Sequence, residues 1–297
     1  MNWNTILLPS AYLAFFALAA LAILWWERRK RGTRAPFAKD LRLLRVAGEH
    51  QLKIINRLDE DFLLMMLGAA VAPCLVALIL LEGVMRLKGW WMVAGSAVVV
   101  AASIAAFILA LRWFVARLRA RGDRYLGYVG ERVVAEYLEP LRAAGWLIFH
   151  DVPCESGREK FDIDHVAVGP GGVFAVETKA RRKGHARAGR EDYKVFFDGE
   201  QLSWPWGEDQ HGLDQALRNA KWLQQWLGKT TGEKLEVVPV LALPGWYVEA
   251  PARAAVRVVN PAWLPDLLTG DGATVLSGKQ IELGARQLEQ RCRDVEF

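Results

Sequence analysis

The stretch Phe161-Asp162-Ile163-Asp164-His165-Val166-Ala167-Val168, closed by Gly169-Pro170-Gly171-Gly172 and continued by Val173-Phe174-Ala175-Val176-Glu177-Thr178-Lys179, decides the fold. Two runs rich in β-branched and aromatic residues, separated by a Gly/Pro turn, predict a β-hairpin. A symmetric four-residue loop sets Asp164 opposite Glu177 and Asp162 opposite Lys179. The two-residue period then puts these four on one face with Val166, Val168, Val173 and Ala175. Phe161, Ile163, His165, Ala167, Phe174, Val176 and Thr178 take the other face, as core. Like charges directly opposite destabilise a sheet, so Asp164 against Glu177 makes sense with a divalent cation between them. Hard cations such as Mg²⁺ take carboxylate oxygens and keep waters for a phosphate substrate. Lys179 returns to the same face, where an ammonium suits an attacking water or a phosphate oxygen. The same four residues also fit a solvated sheet edge with a structural Asp162–Lys179 ion pair, and spacing alone leaves both open.

Outward from the hairpin, the pattern is that of an α/β domain beginning at Gly122. Helical spacing of Val129, Val133, Val134, Leu138 and Leu141 predicts a helix over Tyr125–Ala144, and Trp146–His150 a short strand. Leu213–Leu227 returns to helical periodicity, Val237–Leu243 and Val256–Val259 read as strands, and a short helix lies near Trp263–Leu268. Directly after the lysine come Arg181, Arg182, Lys183, Arg187 and Arg190. A charge run is usually a solvated loop. Beside a metal site it would also track a phosphate backbone through salt-sensitive contacts. Trp204-Pro205-Trp206 reads as core or loop packing ahead of base stacking. Cys74, Cys154 and Cys292 lie far apart, which excludes a disulfide framework and a cysteine-based zinc site. Gly169–Gly172 lacks the GK[ST] of a phosphate-binding loop.

The part before Gly122 is of another kind. Residues 1–121 carry 16 Lys/Arg against 7 Asp/Glu, and residues 122–297 carry 22 against 26. The overall charge of +5 therefore says nothing about nucleic-acid binding by the second part. Ile6–Trp26, Phe62–Leu81 and Trp90–Leu111 are free of charge over 21, 20 and 22 residues. At ~1.5 Å per residue each reaches about 30 Å, a bilayer's hydrocarbon thickness. Trp3, Trp25, Trp26, Trp90, Trp91 and Trp113 sit near the ends, as at membrane interfaces. A buried helical hairpin of a soluble protein is the competing reading. Three transmembrane helices are expected, the first an uncleaved anchor, because positive charge follows its apolar core rather than preceding it. Ten Lys/Arg in residues 27–61, Arg28–Arg31 and Arg34 among them, place this loop inside and the N-terminus outside. The C-terminal domain is then cytoplasmic. Leu41, Leu44, Ile55 and Leu58 allow part of the loop to lie on the anionic leaflet, although a plain surface helix fits as well.

The segment Phe161–Val168 followed by Gly172–Lys179 resembles the central motif of the NERD, or nuclease-related, domain family, which is similar to the PD-(D/E)xK nucleases. Gly130-Glu131-Arg132-Val133-Val134 resembles the family's opening helix, and Gln215-Ala216 with Asn219-Ala220 its glutamine helix. The likeness covers roughly Gly127 to Leu243. It implies a restriction-endonuclease-like mixed α/β sheet flanked by helices, behind the membrane region. It also implies Mg²⁺- or Mn²⁺-dependent hydrolysis of phosphodiesters in nucleic acid, DNA ahead of RNA. Asp164 and Glu177 would be metal ligands and Lys179 the catalytic lysine. Glu131 would be a further acid and Gln215 a support from the later helix. His211-Gly212-Leu213-Asp214 stands where the family usually has Asn-Pro before its glutamine. Ile163 stands where the superfamily has proline. A vestigial site on a membrane-tethered binding or scaffold protein is the alternative, since a fold does not establish turnover.

Overall fold

The structure is a computed structural model and describes residues 4–30, 42–251, 254–270 and 275–295. Arg31, Arg34 and Leu41 of the expected basic loop lie outside them. In chain order the elements are α1 (Asn4–Lys30), β1 (Arg42–Leu44), α2 (Glu49–Val84) and α3 (Trp90–Leu138), followed by a 3-10 turn (Glu139–Ala144). Next come β2 (Leu147–Ser156), β3 (Glu159–Gly169), β4 (Gly172–Thr178), β5 (Lys194–Phe197), β6 (Leu202–Trp204) and β7 (Gly207–Asp209). Then follow α4 (His211–Thr231), β8 (Val237–Ala242), β9 (Tyr247–Glu249), β10 (Arg257–Val259), α5 (Leu264–Thr269), α6 (Gly278–Arg291) and β11 (Arg293–Val295). The chain divides into two compact units, one of Met1–Phe37 and Ile55–Gly122, the other of Ala38–Ile54 and Asp123–Phe297.

In the first unit, one helix among the described residues is long and apolar enough to cross a membrane, and it starts at Trp90. Its Val98, Ile104, Phe107 and Leu109 side chains are exposed, where a soluble core would bury them. The expectation of three such helices is corrected to one. Elsewhere the apolar helical stretches are Ala14–Trp26 and Pro73–Val84. The multi-pass topology, and the orientation drawn from it, lose their basis with the two shorter stretches.

The second unit is built on a five-stranded sheet of order β10-β8-β4-β3-β2. Its β2-β3-β4 half is antiparallel, and β8 and β10 run parallel to β4. A mixed α/β sheet flanked by helices is what the sequence predicts. One face packs Val166, Val168, Val173 and Ala175 against Ala220, Leu223 and Leu227 of α4 and Leu288 of α6. The opposite face packs Ala167, Phe174 and Val176 against Val134 and Leu138 of α3 and Leu264 and Leu268 of α5. Each fully buried Leu or Phe contributes roughly 1.5–3 kcal/mol, so both helix layers are held firmly on the sheet. A smaller sheet, β7-β6-β5-β9, adds a third cluster in which Val195, Phe197 and Trp204 cover Leu213, Leu241 and Trp246. An antiparallel pair, β1 with β11, joins residues 42–44 to the far end of the chain.

The hairpin register is as predicted from His165↔Val176 to Gly169↔Gly172, and there the β3–β4 ladder stops. Beyond it β4 stays with β8, pairing Glu177 to Leu241 and Thr178 to Ala242. Asp164 and Glu177 therefore flank a parting between strands instead of forming a ladder pair. Strict alternation also fails. Ile163 and Val166, three residues apart, share one core cluster, as do Phe149 and Val152 on β2. Between them lies the single gap in the β2–β3 ladder, Asp151 facing Asp164, and Asp151 has φ +46°. A non-glycine residue in that region twists the pleat locally. Asp162 consequently meets Arg45 and His50 rather than the expected Lys179.

Candidate active site

Four elements, β4, α4, β3 and α3, deliver side chains to the place where β3 and β4 part. The end of β4 supplies Glu177, 2% exposed, with Lys179 just beyond it. Glu177 Oε1 accepts a hydrogen bond from Lys179 Nζ at 2.7 Å, and its Oε2 one from Asn219 Nδ2 at 2.9 Å. Lys179 Nζ also donates to Gln215 Oε1 at 2.9 Å. Gln215 and Asn219 are four apart on α4, hence on one helical face. Gly212 lets that helix approach, since a Cβ there would stand 3.3 Å from Lys179 Cγ and 3.3 Å from Leu241.

From β3 comes Asp164, whose Oδ2 accepts the Thr178 backbone N–H at 2.7 Å. From α3 comes Glu131, 4% exposed, with its Oε2 buried and without a hydrogen-bond partner. Gly130 makes this possible: a Cβ there would lie 2.5 Å from Ala180 Cβ. The glycine of the Gly-Glu pair thus sets the distance between helix and strand.

The electrostatics follow from crowding carboxylates in a dry place. Burial pushes Glu131 up to about 8, with the Asp151 and Glu177 charges adding to it and Gln51 and Lys179 opposing. Burial likewise raises Asp164 well above the carboxylate range, and the Glu177 and Glu131 charges add to this. Glu177 is raised by burial, against the pull of Lys179. Asp151 is pushed up to about 6, again mainly by burial, despite a bond from the His50 N–H. All five predicted site residues, Glu131, Asp164, Glu177, Lys179 and Gln215, are therefore brought together, with one ammonium among three carboxyl groups.

Hard oxygen donors in this number suit a Mg²⁺- or Mn²⁺-type cation, and the orphaned Glu131 oxygen is a vacant donor of that kind. Among the described residues, no three His, Cys, Asp or Glu side chains are spaced as a ready metal cage. Glu177 accepts one hydrogen bond on each oxygen, from Lys179 and from Asn219, which leaves a second lone pair on each for a cation.

The basic run is anchored rather than free. Arg181 pairs with Asp209 and lies 5.0 Å from the Trp204 ring, Arg182 pairs with Asp123 at 3.5 Å, and Arg190 pairs with Glu208. Lys183 sits 5.6 Å from the Trp246 ring and is exposed, as is Arg187. Trp204 and Trp246 are each 1% exposed, so they are core and not a base platform. His165 is fully buried, with Nδ1 2.8 Å from His150 Nδ1.

Three contributors escape a sequence reading centred on the hairpin. Asn219 carries a usable signal, its four-residue offset from Gln215. Asp151 and Arg45 carry none, since a positive φ and contacts across a hundred residues leave no local pattern. No curated protein and no solved structure matches the chain. The family model of the nuclease-related domain (NERD) matches residues 126–244, a span that holds all five clustered residues, and this part of the chain is a nuclease-related domain.

Proposed function

We propose that the chain is a membrane-anchored, divalent-metal-dependent nuclease that hydrolyses phosphodiester bonds of nucleic acid, DNA ahead of RNA. The observation that carries this is the convergence of Glu131, Asp164 and Glu177 around Lys179 inside a nuclease-related domain. Buried like charges are retained at a cost, and a cation with a phosphate substrate is what relieves it. Asp164 and Glu177 would hold Mg²⁺ or Mn²⁺, with Glu131 as the further acid. When bound, the metal polarises a phosphoryl oxygen and lowers the pKa of a water.

The chain's own groups do the rest. Glu177 and Gln215 fix two of the three Lys179 N–H bonds, which leaves the third for the attacking water or a non-bridging phosphate oxygen. There its charge offsets the negative charge that develops as the water oxygen bonds to phosphorus and the ester P–O bond breaks. The leaving alkoxide takes up a proton. Arg182, Lys183 and Arg187 are exposed beside the site and would contact backbone phosphates, with Arg181 and Arg190 contributing once drawn from Asp209 and Glu208. The helix from Trp90 would supply the lipid contact.

The test is the full chain, purified in detergent and incubated with single- and double-stranded DNA and RNA in Mg²⁺, Mn²⁺ or EDTA, beside Glu177→Gln. Cleavage that needs metal and fails by a factor of about 10² or more in the variant is the expected result. Salt-sensitive binding with no cleavage under any condition would overturn catalysis and leave a vestigial site.

A further inference from the structure

The helix that braces Lys179 carries a second feature, which the carboxylate site does not use. Gln215, Asn219, Trp222 and Trp226 are spaced four, three and four residues apart on α4, so they form one stripe along the helix. The first two hold Lys179 and Glu177. At ~1.5 Å per residue the two tryptophans lie about 10 and 16 Å further along the axis than Gln215. β3 leads to the same place. Phe161, three residues before Asp164, meets the Trp222 ring edge to face at 5.8 Å. A strand rise of about 3.3 Å per residue again gives roughly 10 Å. At ~3.4 Å per stacked nucleotide, the tryptophans stand about three to five nucleotides from the site.

Trp222 and Trp226 are parallel within 6°, with ring centroids 5.9 Å apart, and both are only partly buried. The Trp222 indole N–H donates to Glu155 O at 2.8 Å, which fixes that ring. Arg291, at the end of α6, places its guanidinium 5.2 Å from each ring centroid. It is held there by Pro153 O and lies 3.8 Å from the Glu155 carboxylate. With Gln225 and Lys229 these residues line a cleft of about 270 Å³. Pockets for drug-sized ligands begin at about 300 Å³, so this one suits a single planar ring system. Trp204 and Trp246 are sealed in the core, whereas this pair forms the wall of an open cleft. The charge around it is positive. Arg218, Lys221 and Lys229 stand exposed on α4 against Asp214 alone, and Glu155 is the one carboxylate in the cleft lining. Aromatic faces for a base beside cations for its phosphates are the chemistry that recognises a nucleotide. A base inside a duplex is already stacked on its neighbours, so such a cleft takes an unpaired one.

We propose that the Trp222–Trp226 cleft is a base-stacking subsite, which holds an unpaired base of the nucleic-acid strand about three to five nucleotides from the phosphodiester that is cut. Lys229 and Arg291 meet the flanking phosphates. The assignment rests on the function proposed above and narrows its substrate to single strands and duplexes with unpaired ends.

The experiment measures binding of labelled single-stranded and duplex oligonucleotides, DNA and RNA, by the full chain in EDTA, and cleavage of the same oligonucleotides in Mn²⁺. It compares the unsubstituted protein with Trp226→Leu, Trp226→Phe and Lys229→Gln, at a temperature where melting curves show all four folded. Leucine keeps the helix and an apolar contact with the core but removes the ring, and phenylalanine restores a ring. The expected result is single-strand binding about 10-fold or more weaker in Trp226→Leu, largely recovered in Trp226→Phe, at unchanged duplex affinity. Lys229→Gln should flatten the salt dependence of single-strand binding by about 0.7 in the log–log slope. Equal single-strand affinity in the Leu, Phe and unsubstituted proteins, with metal-dependent cleavage intact, would overturn the subsite and leave the nuclease reading standing. Single-strand binding that needs the Trp226 ring, with no cleavage in any metal, would overturn the nuclease reading and keep the subsite. No binding of any oligonucleotide by the unsubstituted chain would overturn both.

Discussion

A single carboxyl group, Glu131, shows how burial and charge together set behaviour. Its folded-state pKa of about 8 stands above an ordinary value of 4.5, so the folded protein binds a proton that the unfolded chain has released. The sign follows: this group's stabilisation is fully present below pH 4.5 and is lost as pH rises toward about 8. Asp151, raised to about 6, acts in the same direction. Buried His150, lowered from 6.5, acts in the opposite sense and costs stability as pH falls. We predict that the melting temperature in EDTA falls from pH 5 to pH 8 more steeply in the unsubstituted chain than in Glu131→Gln. The difference should be on the order of 5 °C. Parallel profiles would mean that Glu131 does not carry its proton in the folded state. At this scale Asp164, Glu177 and Lys179 were legible in the sequence because short spacings put them on one hairpin, and Glu131 only through the family resemblance of its Gly-Glu helix. Asp151 was not, because only its backbone angle brings it to Glu131.

Among the elements, α3 and β4 must approach closely for Glu131 to reach Asp164. Gly130 is where they touch, its hypothetical Cβ 2.5 Å from Ala180 Cβ and 3.6 Å from Thr178 Cγ2. Ala180 is no flexible side-chain end that swings aside, so a methyl group at position 130 must move the helix. We predict that Gly130→Ala costs about 1–3 kcal/mol in urea unfolding. Cleavage should fall by more than that loss of folded protein explains, because the displaced helix withdraws Glu131. Full activity at native stability would show that the approach is not needed. The same elements explain what sequence reading could reach. Helical and alternating periods located α4 and the five-stranded sheet, whose cores demand them. The smaller sheet is made of three- and four-residue strands, too short to show a period, and it closes around tryptophans that carry no strand signature of their own. Apolar length alone gave three spans in the first part, where one helix among the described residues, that from Trp90, is long and apolar enough to cross a membrane.

For the molecule as a whole, the boundary at Gly122 describes a change in composition better than a folding unit. The second unit takes in Ala38–Ile54, and its β11 has β1 as partner. A fragment starting at Asp123 therefore lacks the Arg45 guanidinium on Asp162 and the His50 N–H on Asp151, and leaves β11 with an open edge. Those acids are largely buried, so losing their partners leaves charge without compensation, a penalty of about 1–3 kcal/mol for each hydrogen-bonded group. Because the missing piece is short and self-contained, it can be returned. We predict that a synthetic peptide of residues 42–54 binds the fragment 123–297 and raises its stability, by about 2.7 kcal/mol at a free concentration 100 times its dissociation constant. The same peptide with Arg45→Met should bind more weakly, since it lacks the pair with Asp162. Urea melts of the fragment with each peptide decide the matter. A shift with the native peptide that shrinks in the variant makes 42–54 part of the domain. No shift at saturating peptide would mean that the domain stands without it, and that Arg45 and His50 reach the site only as neighbours.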